Sequence, residues 1–317
     1  MRRRIIAGIF LTAAVAGLAF LTCLLQPKYM GDIVEGALIA EYYEETTDHD
    51  VIFIGDCEVY ENFSPVTLWQ DYGITSYIRG SAQQLIWQSY YLLEETLKYE
   101  KPDVVVFNVL AMKYNEPQKE AYNRMTLDGM KWSWSKVKDI QASMTEEEHF
   151  IEYVIPLLRY HSRWSELTAD DWTYLFHREK TSHNGYYMRV DTKPAGKFPQ
   201  DRKLGNYQFG DRAYEYLDKI TGLCRDHDIQ LILIKAPSIY PSWYDQWDEQ
   251  MEEYAGENQI RYINFLDLQE EVGLDFQTDT YDGGLHLNLS GAEKLTRYFG
   301  EILRDEYGLE GHRGDSG

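Results

Sequence analysis

Positive charge is scarce in this chain. Over 317 residues, 31 lysines and arginines face 52 aspartates and glutamates, which gives a formal net charge of −21. Residues 1–26 hold three arginines and no acid, so the remainder carries −24. A surface this acidic repels phosphate backbones, and this argues against nucleic-acid binding as the main function.

Cysteine is also rare, with Cys23, Cys57 and Cys224 as the three examples. The sequence has no Cys-x-x-Cys or His-x-x-x-His spacing, so we expect neither a metal site nor another cofactor. Cys224 lies in a segment of helical periodicity and is predicted to pack in the core. A disulfide between Cys57 and Cys224 is an open alternative in an oxidising compartment.

Long apolar runs are limited to one, at the N-terminus. Arg2, Arg3 and Arg4 precede Ile5 to Leu25, a stretch of 21 residues without formal charge that would span about 30 Å as a helix. We predict that residues 1–27 form an uncleaved, single-pass membrane anchor whose arginines stay cytoplasmic, so that the rest lies outside. A cleaved signal peptide is the alternative, although the run ends without a small-x-small site.

Strands and helices alternate along most of the remaining chain. Short apolar runs predict strands at 50–55, 74–79, 103–108, 229–235 and 260–265, and apolar residues at helical spacing predict helices at 83–98, 212–227, 244–259 and 290–307. This alternation indicates an α/β fold, a flavodoxin-like three-layer α/β/α sandwich with a mostly parallel sheet.

The alternation also suggests domain boundaries. Residues 28–49 are predicted to form a polar stalk, residues 50–307 the α/β domain, and residues 308–317 a flexible tail. Between about 113 and 210 the alternation stops. We predict a helical insertion there, with a helix over 146–164, placed where it could cap the carboxyl edge of the sheet.

Two segments have the composition of a reactive site. Cys57 follows a predicted strand in Gly-Asp-Cys, where ligands of open parallel sheets bind. Asp282 and His286 lie in a glycine-containing loop before the last helix, and imidazole is the usual base for activating a thiol. The structural alternatives are a buried strand-end cysteine and an ordinary loop histidine.

The order of these blocks resembles the SGNH/GDSL hydrolase superfamily. That pattern has Gly-Asp-Ser after the first strand, Gly after the second, Asn after the third and Asp-x-x-His before the last helix. The corresponding positions are Cys57, Gly80, Asn108, and Asp282 with His286. The N-terminal anchor and the insertion resemble the membrane-anchored branch, which includes the teichoic-acid D-alanylation protein DltD and the alginate O-acetyltransferases.

The resemblance implies a role for each of these residues. Cys57 would be the nucleophile and His286 the base, which would lower the pKa of the thiol. The Cys57 N–H, Gly80 and Asn108 would form an oxyanion hole, and Asp282 would orient His286. Two departures stand out, since cysteine replaces serine and Asp282 precedes His286 by four residues rather than three. Asp279 or a backbone carbonyl is therefore an alternative orienting group.

The function implied is an extracytoplasmic esterase or O-acyltransferase acting on acyl groups of a cell-envelope glycan or teichoic acid, with a membrane acyl-donor protein as a possible partner. The alternative is a catalytically inactive, glycan-binding or envelope-assembly protein of the same fold. Arg159, His161 and Arg163 concentrate positive charge in the insertion. They form either a solvated helix face or an arm that contacts an anionic substrate above Cys57.

Overall fold

Five parallel strands form one sheet at the centre of the molecule. The computed structural model describes residues 2–27, 38–177, 180–197, 203–309 and 311–312. The strands are β1 (Val51–Gly55), β2 (Ser76–Gly80), β3 (Val104–Asn108), β4 (Gln230–Lys235) and β5 (Arg261–Asn264), in the order β2-β1-β3-β4-β5. Every neighbouring pair is parallel, so the predicted flavodoxin-like arrangement is confirmed.

Helices connect the strands and cover both faces of the sheet. The α-helices are α1 (Arg2–Leu25), α2 (Leu38–Glu41), α3 (Cys57–Tyr60), α4 (Pro65–Tyr72), α5 (Ile86–Thr96), α6 (Glu120–Leu127), α7 (Trp134–Ser143), α8 (Phe150–Val154), α9 (Leu157–Tyr160), α10 (Ala169–Tyr174), α11 (Asp211–Asp226), α12 (Asp245–Asn258), α13 (Gln269–Val272) and α14 (Leu289–Tyr307). Short 3₁₀ helices lie at Tyr42–Glu44, Val109–Lys113 and Arg163–Glu166.

Alternate strand residues feed two apolar cores. Ile52 and Ile54 of β1 point into a core shared with α5, α11 and α12. Val51 and Phe53 of the same strand point into a second core shared with α4 and α14. Each helix turns an apolar stripe towards the sheet, which is why the helical periodicity of the sequence located α5, α11, α12 and α14 closely.

The carboxyl ends of β1 and β3 lie side by side at the point where the strand order reverses. β1 pairs with β2 on one side and with β3 on the other. Close approach here requires glycine at 55, because a Cβ would lie 2.5 Å from Val59 Cγ2 and 2.9 Å from Asn108 Cβ. In open α/β sheets this switch point is where ligands bind.

Only the later part of the insertion reaches the carboxyl edge of the sheet, where the cap was predicted. Helix α7 of the insertion packs against α5, and α9 and α10 pack against α1. The single helix predicted over 146–164 is wrong. The segment forms α8 and α9, separated at Pro156, which lacks an N–H for helix bonding, and then the 3₁₀ turn at Arg163–Glu166. The later part does reach the site edge, where Tyr187 N donates to Tyr60 O at 2.8 Å and Lys193 N to Thr280 O at 2.9 Å.

The segments flanking the domain pack more closely than predicted. Of the predicted stalk, residues 28–37 lie outside the described residues, and residues 38–49 are part of the domain instead. Glu41 is buried there and accepts hydrogen bonds from Ser182 N and Oγ at 3.0 and 2.6 Å. Of the predicted tail, His312 N donates to Gly73 O at 3.0 Å, and residues 310 and 313–317 lie outside the described part.

Helix α1 has the length and composition of a membrane span. Its 24 residues have a mean hydropathy of 2.3 over the most apolar window, and that window is exposed along its length. Among the described residues, α1 is the one helix that meets these criteria.

Candidate active site

Cys57 lies at the carboxyl end of β1, as the first residue of α3. The side chain of Asp56 caps this helix by accepting a hydrogen bond from Glu58 N at 3.2 Å. Cys57 itself is partly exposed and carries a free thiol. As the first helical residue, Cys57 has a backbone N–H with no acceptor within the helix.

The loop before α14 brings His286 beside the Cys57 thiol, close enough for each side chain to shift the pKa of the other. Two contacts hold the loop in this position. Leu287 N donates to the buried Asn62 Oδ1 at 2.7 Å, and Thr280 Oγ1 donates to His286 O at 2.7 Å. Asn62 therefore fixes the height of His286 above the sheet, a role that the sequence analysis did not predict.

Asp282 is in direct contact with the imidazole. Its Oδ2 lies 2.7 Å from His286 Nδ1, and its Oδ1 accepts from the backbone N–H groups of Leu285 and His286 at 3.1 and 3.0 Å. Gly283 and Gly284 have φ of 94° and 108°, a region that favours glycine, and they fold the chain back so that a four-residue spacing still brings the carboxylate to the ring.

Asp279, the alternative orienting acid, points elsewhere. Its carboxylate is buried and bonds Lys294 Nζ at 2.7 Å, Ser290 Oγ at 2.9 Å and Asp275 N at 2.8 Å. These contacts tie the loop to the first turns of α14. The role of Asp279 in the structure is therefore anchoring of the loop.

A second carboxylate that the sequence analysis missed also faces His286. Glu61 Oε2 lies 2.9 Å from Nδ1, and Glu61 accepts from Tyr281 OH, which is 2.8 Å from each carboxylate oxygen. The Tyr281 ring is stacked on the imidazole with an interplanar angle of 17°. Glu61 follows Cys57 by four residues, the spacing of neighbours on one helix face, and this spacing was the available signal.

The charges around the pair shift both pKa values. Burial lowers the pKa of His286, but the Cys57 thiolate, Glu61 and Asp282 oppose it and hold the pKa well above its ordinary value. Burial raises the pKa of the Cys57 thiol, and His286 only partly opposes this effect. The predicted lowering of the Cys57 pKa is therefore wrong in net direction, because desolvation outweighs the imidazole.

With Nδ1 taken by carboxylates, Nε2 is the ring nitrogen that remains for the thiol. Burial raises the pKa of Asp282, but its hydrogen bonds from His286 outweigh burial and keep that pKa below its usual range. Asp282 is therefore ionised at neutral pH and stabilises an imidazolium. The four side chains Cys57, His286, Asp282 and Glu61 form an arrangement in which a proton can move from sulfur to nitrogen.

Asn108 does not face the thiol as an oxyanion donor. Its Nδ2 donates to Asp56 Oδ1 and to Glu58 Oε2, both at 3.1 Å, and its Oδ1 accepts from Ala236 N at 3.2 Å. Both amide hydrogens are thus used. The prediction for Asn108 does not agree with this geometry, in which the side chain links the ends of β1 and β4.

Asn108 is connected through Glu58 to a buried ion pair beneath Cys57. Lys235 Nζ lies 3.0 and 2.9 Å from the two carboxylate oxygens of Glu58, and both side chains are buried. Asp56, also buried, has its pKa raised to about 6 by desolvation and by the neighbouring charge of Glu58. Gly80, the other predicted oxyanion-hole residue, pairs with Gly55 at the ends of β2 and β1, two positions from Cys57.

The basic cluster of the insertion has contacts away from this site. Arg159 forms two hydrogen bonds with Glu120, His161 Nδ1 contacts Leu158 O, and Arg163 bonds Asp171 and the carbonyl of Leu25. None of the contacts described for these three residues joins them to Cys57 or His286. The predicted substrate arm is therefore not supported, because acids within the fold already pair its arginines.

Two expectations about the cysteines remain, the alternative Cys57–Cys224 disulfide and the packing of Cys224 in the core. None of Cys23, Cys57 and Cys224 forms a disulfide, so the alternative Cys57–Cys224 bond is not present. Cys224 lies on α11 and is buried in the core that this helix shares with α5 and α12, as predicted.

The acidic side of the site has the ligand types of a cation site. One ligand atom each from Glu61, Asp282 and His286 lie within 4.8 Å of one another. A cation would have to take the Nδ1 lone pair of His286, which in this geometry faces two carboxylates at hydrogen-bonding distance. The hydrogen-bonded arrangement and a metal-bound one are therefore mutually exclusive.

Comparisons with known proteins give no family. No family model matches this chain, and no curated protein matches it. Fourteen chains of solved structures match, among them a candidate acylhydrolase from Bacteroides fragilis NCTC 9343, which is 12% identical. The match covers 84% of this chain and 94% of that chain with a TM-score of 0.41. A likeness at this level assigns no activity, so the function has to be argued from the site itself.

The first prediction separates the two aspartates. We expect Asp282→Asn to lower the rate of Cys57 acylation by an activated ester at least about a hundredfold, because the base loses the carboxylate that orients it. Asp279→Asn should lower this rate less than about tenfold, since Asp279 does not touch the imidazole. Rates are compared among variants with similar melting temperatures; the reverse ranking would contradict the assignment.

The second prediction concerns Glu61. Its negative charge raises the pKa of both His286 and Cys57. Glu61→Gln should lower both, so the pH profile of iodoacetamide labelling at Cys57 should move to lower pH by about one unit. Peptide mapping measures the labelling, and Glu257→Gln on the exposed side of α12 is the matched control. An unmoved profile, or one moved to higher pH, would remove Glu61 from the site.

Proposed function

We propose that this protein is a membrane-anchored esterase or O-acyltransferase of the SGNH type that forms a thioester on Cys57. One observation carries the proposal. A partly exposed thiol at the switch point of a parallel sheet lies beside His286, whose Nδ1 faces Asp282 and Glu61. A nucleophile, a base and an orienting acid in contact are the parts that acyl transfer requires.

In the first half-reaction, His286 takes the thiol proton as the sulfur of Cys57 attacks the carbonyl carbon of an ester. The carbonyl π electrons move to oxygen and give a tetrahedral oxyanion. When the carbonyl re-forms, the bond to the alcohol oxygen breaks, and the imidazolium returns its proton to that oxygen. The products are a free alcohol and an acyl thioester. Asp282 and Glu61 stabilise the imidazolium between these proton transfers.

In the second half-reaction, His286 takes a proton from an acceptor hydroxyl, whose oxygen attacks the thioester carbon. The carbon–sulfur bond then breaks, and the imidazolium returns its proton to the Cys57 sulfur. Water as acceptor makes the protein an esterase, and a sugar hydroxyl makes it an acyltransferase. Both outcomes use the same side chains.

Oxyanion stabilisation depends on backbone groups in this proposal. The N–H of Cys57 at the start of α3 and the N–H of Gly80 are the donors, while Asn108 serves the buried network. Loss of one donor in related acyl-transfer sites costs about 10² to 10³ in rate. The engagement of Asn108 is also the observation that favours the second candidate function, a catalytically silent glycan-binding or envelope-assembly protein.

Location and substrate belong to the same proposal. The arginines in the first turn of α1 favour an orientation in which the α/β domain lies outside the cytoplasm. An exposed ester on a cell-envelope glycan or teichoic acid, as in the membrane-anchored branch that the sequence resembles, would then be within reach.

An export-dependent reporter fused after Gly317 should be active, and activity of a cytoplasm-dependent reporter instead would contradict the orientation.

The deciding experiment is intact mass spectrometry of the full chain in detergent after incubation with p-nitrophenyl acetate. We expect one acetyl adduct that maps to Cys57. Cys57→Ala should abolish the adduct, His286→Ala should slow its formation, and Cys224→Ala should leave it in place because that thiol is buried.

Two outcomes would contradict the proposed enzymatic function. One is the absence of a Cys57 adduct in protein that melts normally, which would favour the silent binding protein. The other is an adduct whose rate does not depend on His286, because a merely exposed thiol would then suffice. Activity that disappears on chelation and returns with added divalent cation would assign Glu61, Asp282 and His286 to a metal instead.

A further inference from the structure

The insertion exposes large apolar side chains on one part of the molecule. Six of them are 45 to 84% exposed, and we call them the interfacial face: Ile151, Ile155, Leu158, Trp164, Trp172 and Phe176. Ile151 lies on α8, Leu158 lies on α9, and Ile155 lies between these two short helices. Exposed apolar side chains that cluster on a protein surface mark a site of contact with another protein or with a membrane.

This face is continuous with the end of the apolar helix α1. The Phe20 ring lies 6.4 Å from the Trp172 ring, and Arg163 Nη1 donates to Leu25 O at 2.7 Å. Both α9 and α10 contact α1. Residues 2–20 of α1 are exposed, whereas Leu24 and Leu25 are buried. The insertion therefore holds the last turns of the helix that would cross a membrane.

The depth of these contacts follows from helix geometry. At 1.5 Å per residue, 24 residues of α1 extend about 36 Å, slightly more than the roughly 30 Å of a hydrocarbon core. Phe20 precedes Leu25 by five residues and lies about 7.5 Å closer to the bilayer centre. Trp172, beside Phe20, falls at the level of the interface, where tryptophan is enriched in membrane proteins.

Charge does not account for such a contact. Residues 146–180 contain eight acidic and four basic residues, so this segment repels anionic lipids. Two of the basic residues, Arg159 and Arg163, are already paired with Glu120 and Asp171. Any attraction of this face to a membrane must come from its apolar and aromatic side chains, which makes it independent of salt.

We propose that the interfacial face lies in the headgroup region of the bilayer beside α1, as a second membrane contact. The proposal rests on α1 spanning the membrane and is independent of the chemistry at Cys57. Two contacts, a spanning helix and a surface next to it, fix the tilt of the α/β domain. A domain held in this way keeps its site at a constant distance from the membrane surface, whereas a domain on a flexible tether would not.

The test uses the full chain in phosphatidylcholine vesicles, with a fluorescent NBD label on single introduced cysteines. Cys23→Ser and Cys57→Ser remove the accessible thiols, and the buried Cys224 is kept. Labels at Ile151→Cys and Phe176→Cys report on the face, and Glu257→Cys on α12 is the control. Each labelled protein should melt as the unlabelled one does.

We expect doxyl-labelled phosphatidylcholine to quench the labels at 151 and 176 at least about threefold more strongly than the label at 257, with the same result at low and high salt. Aqueous iodide should show the opposite ranking. Equal access of iodide to all three labels would overturn the proposal. So would labels that are iodide-accessible in lipid vesicles but protected in native membranes, since the face would then bind a membrane protein.

Discussion

The ion pair between Glu58 and Lys235 is the contact on which the geometry of the site depends. Both side chains are withdrawn from water, and Lys235 Nζ also donates to Ala236 O at 2.6 Å. Removing one partner of such a pair leaves an uncompensated charge at a cost of about 3–5 kcal/mol. Because Glu58 is the residue after Cys57, the pair fixes α3 to the end of β4 and thereby fixes the thiol.

Asn108 extends this constraint to a third strand. One amide, at the end of β3, satisfies Asp56 and Glu58 of the turn after β1 and the N–H of Ala236 after β4. An amide whose two hydrogens are both used inside the protein rigidifies its surroundings but has no donor left for a substrate oxyanion. The Asn108 amide can either hold the turn that carries Cys57 or donate to an oxyanion. In this structure it holds the turn.

The sequence located the sheet well and the site only in part. Strand ends such as Gly55 and Asn108 are marked locally, because an apolar run stops at a residue with a distinct backbone or polar role. Asp282 and His286 were found because one loop carries both. Glu61, Asn62 and the ion pair of Glu58 were not found, since their partners lie 177 to 225 residues away along the chain and meet them only through tertiary packing. The helices of the insertion were misplaced for the same reason, since α7 packs against α5, and α9 and α10 pack against α1.

The two carboxylates beside His286 also give a reason why residue 57 is a cysteine, whereas the superfamily that the sequence resembles has a serine there. They favour the protonated form of the imidazole, so only the neutral fraction of His286 can accept a proton from a nucleophile. A hydroxyl depends on that neutral fraction entirely, because its own acidity is negligible. A thiol loses its proton far more readily, so it tolerates a base with a raised pKa, and the thiolate is itself stabilised by the imidazolium beside it. Burial of Cys57 opposes that ionisation, so the proton is best transferred while the substrate is being attacked rather than beforehand.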